Sequence, residues 1–142
     1  MEIKNKKAYF DYYIEETTEC GIELKGTEIK SLRRGSGDFK DTFALIRNGE
    51  VFLHNMYIAK YEEGNIFNHD ERRTRKLLLH KNEIKKLKEK VDREGYSLVP
   101  LKAYLVRNRV KILLGLGKGK KLYDKRETIK ERDLKREAQR MR

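Results

Sequence analysis

The 142-residue sequence contains no tryptophan, one proline, one cysteine and three histidines. Because Cys20 is the only thiol, the chain cannot form an intrachain disulfide, and no second thiol is present to complete a metal knuckle. His54, His69 and His80 lie in separate segments, without a paired spacing such as HExxH. We therefore expect neither a metal site nor a cofactor.

Long apolar stretches are also missing. The longest runs, such as residues 77–79 and 112–114, are far shorter than the roughly 20 residues that a membrane-spanning helix needs. Met1 leads directly into the largely polar sequence EIKN, without the apolar stretch of a signal peptide. Together with the single thiol, these features lead us to expect a cytoplasmic protein.

Motifs for catalysis are missing as well. The chain has no GxSxG sequence and no defensible Ser/His/Asp or Cys/His set. The sequence GLGKGK at residues 115–120 lacks the GxxxxGK[ST] spacing of a P-loop. We expect this segment to be either a flexible basic exit from the last strand or a stretch whose glycines let phosphates approach the backbone. The chain is predicted not to be an enzyme.

Positive charge is what the sequence has in excess. Its 35 Lys and Arg against 23 Asp and Glu give a formal net charge of +12 and a pI near 9.7. Half of this charge lies in residues 118–142, which hold eleven Lys and Arg against five Asp and Glu. This balance favours a polyanionic partner, with nucleic acid ahead of an anionic membrane surface.

The same 25 residues contain few apolar side chains but many helix formers. Burial of so little apolar surface cannot offset the conformational entropy that is lost on ordering. We therefore expect residues 118–142 to be a basic tail that is disordered when free and becomes helical on a surface that neutralises it. A solvated charged tail without a function is the alternative that composition alone leaves open.

Residues 1–117 are long enough for one compact domain. Aromatic and β-branched side chains at residues 8–14 and 21–25 predict two strands, separated by a polar patch. Thr27 can cap a short helix that ends at Gly35. The aromatic residues expected to be mostly in the core are Tyr9, Phe10, Phe43 and Phe52.

The strongest turn prediction is the dipeptide Asn48-Gly49, which accepts the two positive φ angles of a tight β-hairpin. Further elements are predicted at residues 82–94, a helix capped by Asn82 and ended by Gly95, and at residues 97–106 and 110–116, two strands joined around Asn108. About six strands in hairpin pairs, with two helices between them, favour a mainly β fold. We predict a small antiparallel barrel of the oligonucleotide-binding (OB) type, with two to three flanking helices.

Basic clusters recur beside tyrosines that we expect to be exposed. The clusters lie at residues 72–76, 81–93 and 118–126, and the tyrosines are Tyr57, Tyr61 and Tyr123. RNA-binding surfaces combine these two features, because aromatic rings stack on bases while cations neutralise phosphates. The pattern therefore favours RNA as the partner.

Several short motifs follow one another along the chain. They are GTEIKSLR at residues 26–33, RKLLLH at 75–80, Pro100-Leu101, GKGKK at 117–121 and DKR at 124–126. In this order and spacing they resemble the small protein B family, also called SsrA-binding proteins, which are the bacterial partners of transfer-messenger RNA. The resemblance extends from NKKA at residues 5–8 to the tail.

The resemblance implies an OB-type barrel that binds the tRNA-like domain of transfer-messenger RNA and brings it to ribosomes stalled on mRNA without a usable stop codon. This function, trans-translation, needs no catalysis by the chain. One barrel face, formed around the GTEIKSLR helix and the strand with His54 and Asn55, is implied to contact the RNA. The implied tmRNA-binding residues are Lys25, Glu28, Lys30, Arg33, Arg34, His54, Asn55, Tyr57, Arg75, Lys76, Lys118 and Lys120.

The resemblance further implies that the tail enters the decoding region of the small ribosomal subunit and follows the mRNA channel when that channel is empty. The implied ribosome-binding residues are Lys121, Tyr123, Asp124, Lys125, Arg126, Lys130, Arg132, Leu134, Lys135 and Arg136. Tyr123 stands where histidine is common in the family. A tyrosine can stack on a base but cannot carry an imidazolium charge. The free protein is expected to be a monomer.

Two other functions stay open at this point. A ribosomal protein, or another translation factor with the same barrel and tail, would co-purify at one copy per ribosome and survive a high-salt wash. An RNA-processing nuclease would cleave RNA in the presence of Mg²⁺.

Overall fold

The computed structural model describes residues 1–140, except for the side chains of residues 64–66, 128, 135 and 137–140. In chain order the elements are β1 (Glu2–Lys4), α1 (Lys6–Asp11), β2 (Tyr12–Ile22), α2 (Gly26–Arg33), β3 (Gly37–Asp38), β4 (Phe43–Arg47), β5 (Glu50–His54), β6 (Tyr57–Ile58), a 3-10 turn (Glu62–Phe67), β7 (Arg75–Leu78), α3 (Lys81–Glu94), β8 (Ser97–Val106), β9 (Arg109–Gly119) and α4 (Leu122–Arg140).

One antiparallel sheet of seven strands forms the body, in the order β1-β8-β9-β2-β7-β5-β4, and β3 pairs with β6 beside it. Strand β4 packs against β8, so the sheet curls around its core. Over the described residues its hydrogen-bonded ladder still ends at β1 and β4. The predicted fold class, mainly antiparallel β with flanking helices, is confirmed, in the form of a curled, barrel-like sheet.

The interior of the curled sheet is mostly aliphatic, and it includes the buried Phe39. Leu53 and Ile112 are fully buried, and α2 contributes the buried Leu32. The prediction of an aromatic core is wrong for Tyr9, which is 53% exposed, and for Phe43, which is 47% exposed. Side chains alternate along a strand, so the burial of Ala44 places Phe43 on the outer face of β4. Phe10 and Phe52 are half-buried.

Two hairpins have two-residue turns. The predicted turn between β4 and β5 is confirmed, with φ of 53° at Asn48 and 73° at Gly49. The turn between β8 and β9 is of the same kind, with φ of 49° at Arg107 and 66° at Asn108. Positive φ at both positions matches the twist of the flanking strands.

The first helix replaces the beginning of the strand predicted over residues 8–14, whereas residues 12–14 belong to β2 as predicted. Ala8 packs on Leu101 at the outer face of the sheet, and the side-chain amide of Asn5 donates a hydrogen bond of 2.8 Å to the carbonyl of Pro100. These contacts join residues distant in sequence, which explains why the local pattern of aromatic residues predicts the wrong element.

Strand β2 continues through residues 15–19, which were predicted to separate two strands. A bulge at residue 15 interrupts the ladder with β9, and the glutamates of this segment stay on the outer surface. Each has a partner: Tyr96 for Glu15, Lys90 at 2.5 Å for Glu16, and Tyr104 at 2.6 Å for Glu19. Because residues of α3, β8 and the segment between them pair with these glutamates, the charged segment can remain part of one long strand.

The glycines of residues 115–119 lie within β9, so the prediction of a flexible exit is wrong, and the approach of phosphates to this segment stays a prediction. A Cβ at Gly117 would lie 2.6 Å from the carbonyl oxygen of Tyr13, and one at Gly115 would lie 3.0 Å from Leu101. Glycine is required here because β9 packs closely against β2 and β8.

Helix α3 ends at Gly95, whose φ of 72° confirms the predicted left-handed cap. Its start differs from the prediction. The helix begins at Lys81, and the N–H of His80 donates to the Glu83 carboxylate at 3.2 Å, so Asn82 lies inside the first turn. None of the described helices combines the length and the apolar character needed to cross a membrane.

Candidate nucleic-acid interface

Helix α2 is held in place by one buried carboxylate. Glu28 has no exposed surface, and it accepts a 2.8 Å hydrogen bond from the N–H of Lys25 at the start of the helix. It also accepts hydrogen bonds from two arginines of the segment that leads into β7: Arg73, at 2.5 Å, and the Nε of Arg75. The helix is therefore capped by Glu28, where the sequence had predicted Thr27.

The same network connects α2 to the end of β5. Arg75 is fully buried, and its guanidinium donates to the carbonyls of Met56, at 2.5 Å, and Glu71, at 3.2 Å. Burial lowers the pKa of Arg75, an effect that the Glu28 carboxylate opposes. Because Asn55 and Tyr57 flank Met56 in sequence, the network sets both residues beside α2.

Burial also opposes ionisation of Glu28. Hydrogen bonds from Arg73, the Lys25 N–H and Arg75 outweigh burial, and together they hold the pKa of Glu28 below its ordinary value. The predicted RNA contacts of Glu28 and Arg75 are therefore wrong for this fold, because neither side chain has surface to offer. Their role in the interface is to orient α2 and the end of β5.

The exposed face of α2 carries the cations predicted from the sequence. Lys30 and Arg34 both lie over the ring of Tyr61, with distances of 5.5 Å and 4.6 Å to its centroid. Arg33 reaches the turn between β8 and β9, where it donates to the carbonyl of Asn108 at 3.3 Å. We call this group, with the exposed Lys25, the α2 edge. It combines cations with an aromatic plane.

A second part of the interface lies at the connection between β5 and β6. The carbonyl of Asn55 accepts a 3.0 Å hydrogen bond from Arg72, whose guanidinium lies 5.5 Å from the ring centroid of Tyr57. A hydrogen bond to Glu71 raises the pKa of Tyr57, so its hydroxyl stays protonated as a donor. Arg72 was part of a predicted basic cluster but not a predicted site residue.

The third part is an aromatic pair on the hairpin of β4 and β5. The rings of Phe43 and His54 are stacked, with centroids 5.1 Å apart and planes 11° from parallel. His54 was a predicted RNA contact, whereas Phe43 was assigned to the core. Register counted from the Asn48-Gly49 turn pairs these two residues across the hairpin, so this information was present in the sequence.

Three other predicted contacts lie apart from the α2 edge. Lys76 pairs with Glu50 at 2.8 Å on the outer face of β7 and β5. Lys118 lies over Tyr96 and Lys120 over Tyr13, at 4.7 Å and 4.9 Å from the ring centroids, at the end of β9 opposite to the turn that Arg33 contacts. The eleven residues of β9 span roughly 30 Å. Lys118 and Lys120 therefore belong with the tail.

The tail forms the helix α4, which packs beside α1. Lys125 forms an ion pair of 3.2 Å with Asp11, and the guanidinium of Arg132 lies 5.6 Å from the ring centroid of Phe10. Asp124 accepts a 3.2 Å hydrogen bond from the N–H of Lys121 at the start of the helix. The predicted tail residues that α4 leaves exposed are Tyr123, Arg126, Lys130, Arg132, Leu134 and Arg136. The side chain of the predicted residue Lys135 lies outside the described residues.

A family model for the SmpB protein matches residues 2–142, which is nearly the whole chain. The chain belongs to the SmpB family. It is 61% identical over 137 residues to the SsrA-binding protein of Bacillus subtilis, covering 96% of this chain and 88% of that protein. It is 61% identical over 129 residues to the SsrA-binding protein of Caldicellulosiruptor bescii, covering 91% and 82% of the two chains.

A solved structure agrees with this SmpB assignment. A chain from the structure described as "tmRNA-SmpB: a journey to the center of the bacterial ribosome" superposes with a TM-score of 0.71 and shares 53% of its sequence, with 85% of each chain covered. The family resemblance predicted from the motifs is confirmed.

His69 and Cys20 of this SmpB-family chain serve the fold. His69 is buried and fills both ring nitrogens: Nε2 donates to the Ile58 carbonyl, and the Thr27 hydroxyl donates to Nδ1, each at 2.9 Å. Cys20 is fully buried, and its burial raises the pKa of the thiol to about 12. Over the described residues, no three His, Cys, Asp or Glu side chains group as metal ligands.

Proposed function

We propose that this chain is an RNA-binding adaptor of trans-translation. It binds the tRNA-like domain of transfer-messenger RNA and delivers it to ribosomes stalled on mRNA without a usable stop codon, without catalysing a reaction itself. Because bacterial ribosomes lie in the cytoplasm, we infer that the chain acts there. Membership of the SmpB family supports the proposal, and so does the name of its relatives, SsrA-binding proteins.

The observation that carries the proposal is the separation of two cationic regions at opposite ends of one strand. The α2 edge follows the last residue of β2, whereas α4 packs on α1, which precedes the first residue. The eleven residues of β2 span roughly 30 Å. Two RNA-binding ends at this distance suit a protein that holds one RNA while it engages another.

Each end has the chemistry for its task. The α2 edge offers cations above a tyrosine plane, which suits a folded RNA with accessible bases and phosphates. Residues 118–142 carry half of the net charge of +12, and most of this tail forms α4. A basic helix can lie along ribosomal RNA in the mRNA channel only while mRNA is absent, because the channel holds one polymer at a time.

The proposal is tested by separating the two ends. Deletion of residues 124–142 removes most of α4 and leaves the α2 edge intact. Affinity for the isolated tRNA-like domain, measured by fluorescence anisotropy, is expected to stay close to that of the full chain. Tagging of peptides on stalled ribosomes, measured in a reconstituted translation system, is expected to be lost. Equal losses in both assays would contradict the division of labour.

The converse variant reverses charge at Lys30 and Arg33. We expect weaker binding of the tRNA-like domain at every salt concentration. For the unmodified protein, four to six phosphate contacts correspond to a log–log salt slope of about −3 to −5. The matched control reverses Lys85 and Lys88, two exposed cations of α3, with the same change in net charge. Equal losses for the two double variants would indicate net charge alone rather than a site.

A further inference from the structure

Phe67 is an unusually exposed aromatic side chain. It is 82% exposed, more than any other large apolar side chain among the described residues, including Tyr123 of the tail at 70%. Single exposed apolar residues are common, so exposure alone assigns no function. The residues around Phe67 supply the further evidence for a function.

The loop that carries Phe67 is closed by specific hydrogen bonds. The side-chain amide of the next residue, Asn68, accepts from the N–H of Tyr61 at 3.1 Å and donates to its carbonyl at 2.6 Å. His69, buried and bonded to Thr27 and to the Ile58 carbonyl, fixes the following position. Phe67 is thus exposed at the edge of an anchored loop. These hydrogen bonds hold the two ends of the loop together before any partner binds, which lowers the entropy lost on binding.

Two cations lie at the other end of the same loop, whose first turn carries the exposed Glu62 and Glu63. Tyr61, which Asn68 clamps, is the residue whose ring lies beneath Lys30 and Arg34. Arg34 also reaches Glu63 in the loop at 3.5 Å. An apolar protein partner would gain nothing from these cations. A nucleotide matches both features, because its base stacks on an aromatic ring while its phosphate meets the cations.

We propose that Phe67 stacks on one unpaired base of the RNA bound at the α2 edge, with Lys30 and Arg34 neutralising the adjacent phosphates. The inference rests on the proposed function and adds a base contact to it. An unpaired base is required, since the faces of bases inside a duplex are already stacked. Loops and bulges of a folded RNA supply such bases.

Replacement of Phe67 by tryptophan supplies a direct readout, because the chain has no other tryptophan. In F67W the only indole emission comes from this position. We expect titration with the tRNA-like domain to quench this emission, with an affinity within about twofold of that of the unmodified protein. Heparin, a polyanion without bases, is expected to leave the emission unchanged.

Truncation separates stacking from other contributions. F67A is expected to weaken binding by about 5- to 100-fold without a change in the salt slope, because stacking releases no counterions. F67L keeps apolar volume but has no ring, and it is expected to behave like F67A. R34A is expected to reduce the steepness of the slope by about one. The matched control is Y9A, which removes another exposed ring, on α1 at the far end of β2, and is expected to leave affinity unchanged.

The inference is overturned if the unmodified protein binds the RNA while F67A stays within twofold of it, whether or not F67W is quenched. It is also overturned if F67A binds the RNA normally but loses affinity for ribosomes, which would assign the ring to a ribosomal surface. Failure of the unmodified protein to bind the RNA would refute the proposed function instead. Because Phe67 is exposed, F67A is expected to melt at the temperature of the unmodified protein.

Discussion

Replacement of Glu28 by glutamine tests the network that orients the interface. The side chain keeps its shape but loses its charge, so that Arg75, which has no exposed surface, is left without a counter-ion. Removal of one partner from a buried ion pair destabilises a protein by about 3 to 5 kcal/mol. Arg73 is 29% exposed and can return to solvent, and glutamine can still accept one hydrogen bond. We therefore expect about 3 kcal/mol.

The measurement is equilibrium unfolding in urea at pH 7. With an m-value of about 1.5 kcal/mol/M, a loss of about 3 kcal/mol lowers the midpoint by about 2 M. The control is E89Q, which removes the same charge from an exposed pair with Arg93 at 2.9 Å within α3. Exposed pairs of this kind contribute less than about 0.5 kcal/mol.

The pH dependence supplies a second readout. The pKa of Glu28 is lower in the folded protein than the value of about 4.3 expected in the unfolded chain. Its stabilising contribution is therefore fully present above about pH 4.3 and is lost as the pH falls through the folded pKa. The difference in unfolding free energy between the unmodified protein and E28Q should narrow below about pH 4. A loss for E28Q no larger than that for E89Q at pH 7, or a difference that is independent of pH, would refute the reasoning.

Two further predictions concern packing. G117A should lower stability by more than about 1 kcal/mol, since its Cβ would lie 2.6 Å from the Tyr13 carbonyl and β2 would have to move; G119A, with only the Tyr12 ring at 4.0 Å, is the control, and equal melting temperatures for the two would contradict the close approach. Cys20 is fully buried and its thiol pKa is raised to about 12, so thiol reagents at pH 8 should label the native protein only as fast as it unfolds, whereas labelling at the rate of a free cysteine would contradict its burial.

Local chemistry made much of the fold predictable. Asn48-Gly49 and Gly95 require or accept positive φ, and their turn and cap were found where the sequence placed them. The charge of the tail and the order of the motifs could be read from the sequence without any structural information. The prediction failed where the conformation of a segment depends on contacts with residues that are distant in sequence. Aromatic residues near the N-terminus form α1, since Ala8 packs on Leu101, and the glycines of β9 serve the packing of strands.

Some residues of the candidate interface were likewise predicted from the sequence, whereas others were not. The cations of the α2 edge were predicted because the motif GTEIKSLR resembles that of the small protein B family, which implies an RNA-binding face there. Phe43 was not found, although counting from the hairpin turn pairs it with His54. Phe67 was not predicted as an interface residue either. Its loop is closed by contacts of Asn68 with Tyr61 and of His69 with Thr27, and no local sequence pattern indicates these contacts.

The sequence by itself determined the net charge of +12, the basic tail, the tight turns and the end of α3 at Gly95. These properties depend on residue type and on neighbours a few positions away. Only the tertiary structure decided that Glu28 and Arg75, 47 positions apart, form a buried pair rather than an RNA contact. It also decided that the α2 edge and the tail lie at opposite ends of β2. Burial and distance arise from contacts between residues that the chain separates, so they exist only once it has folded.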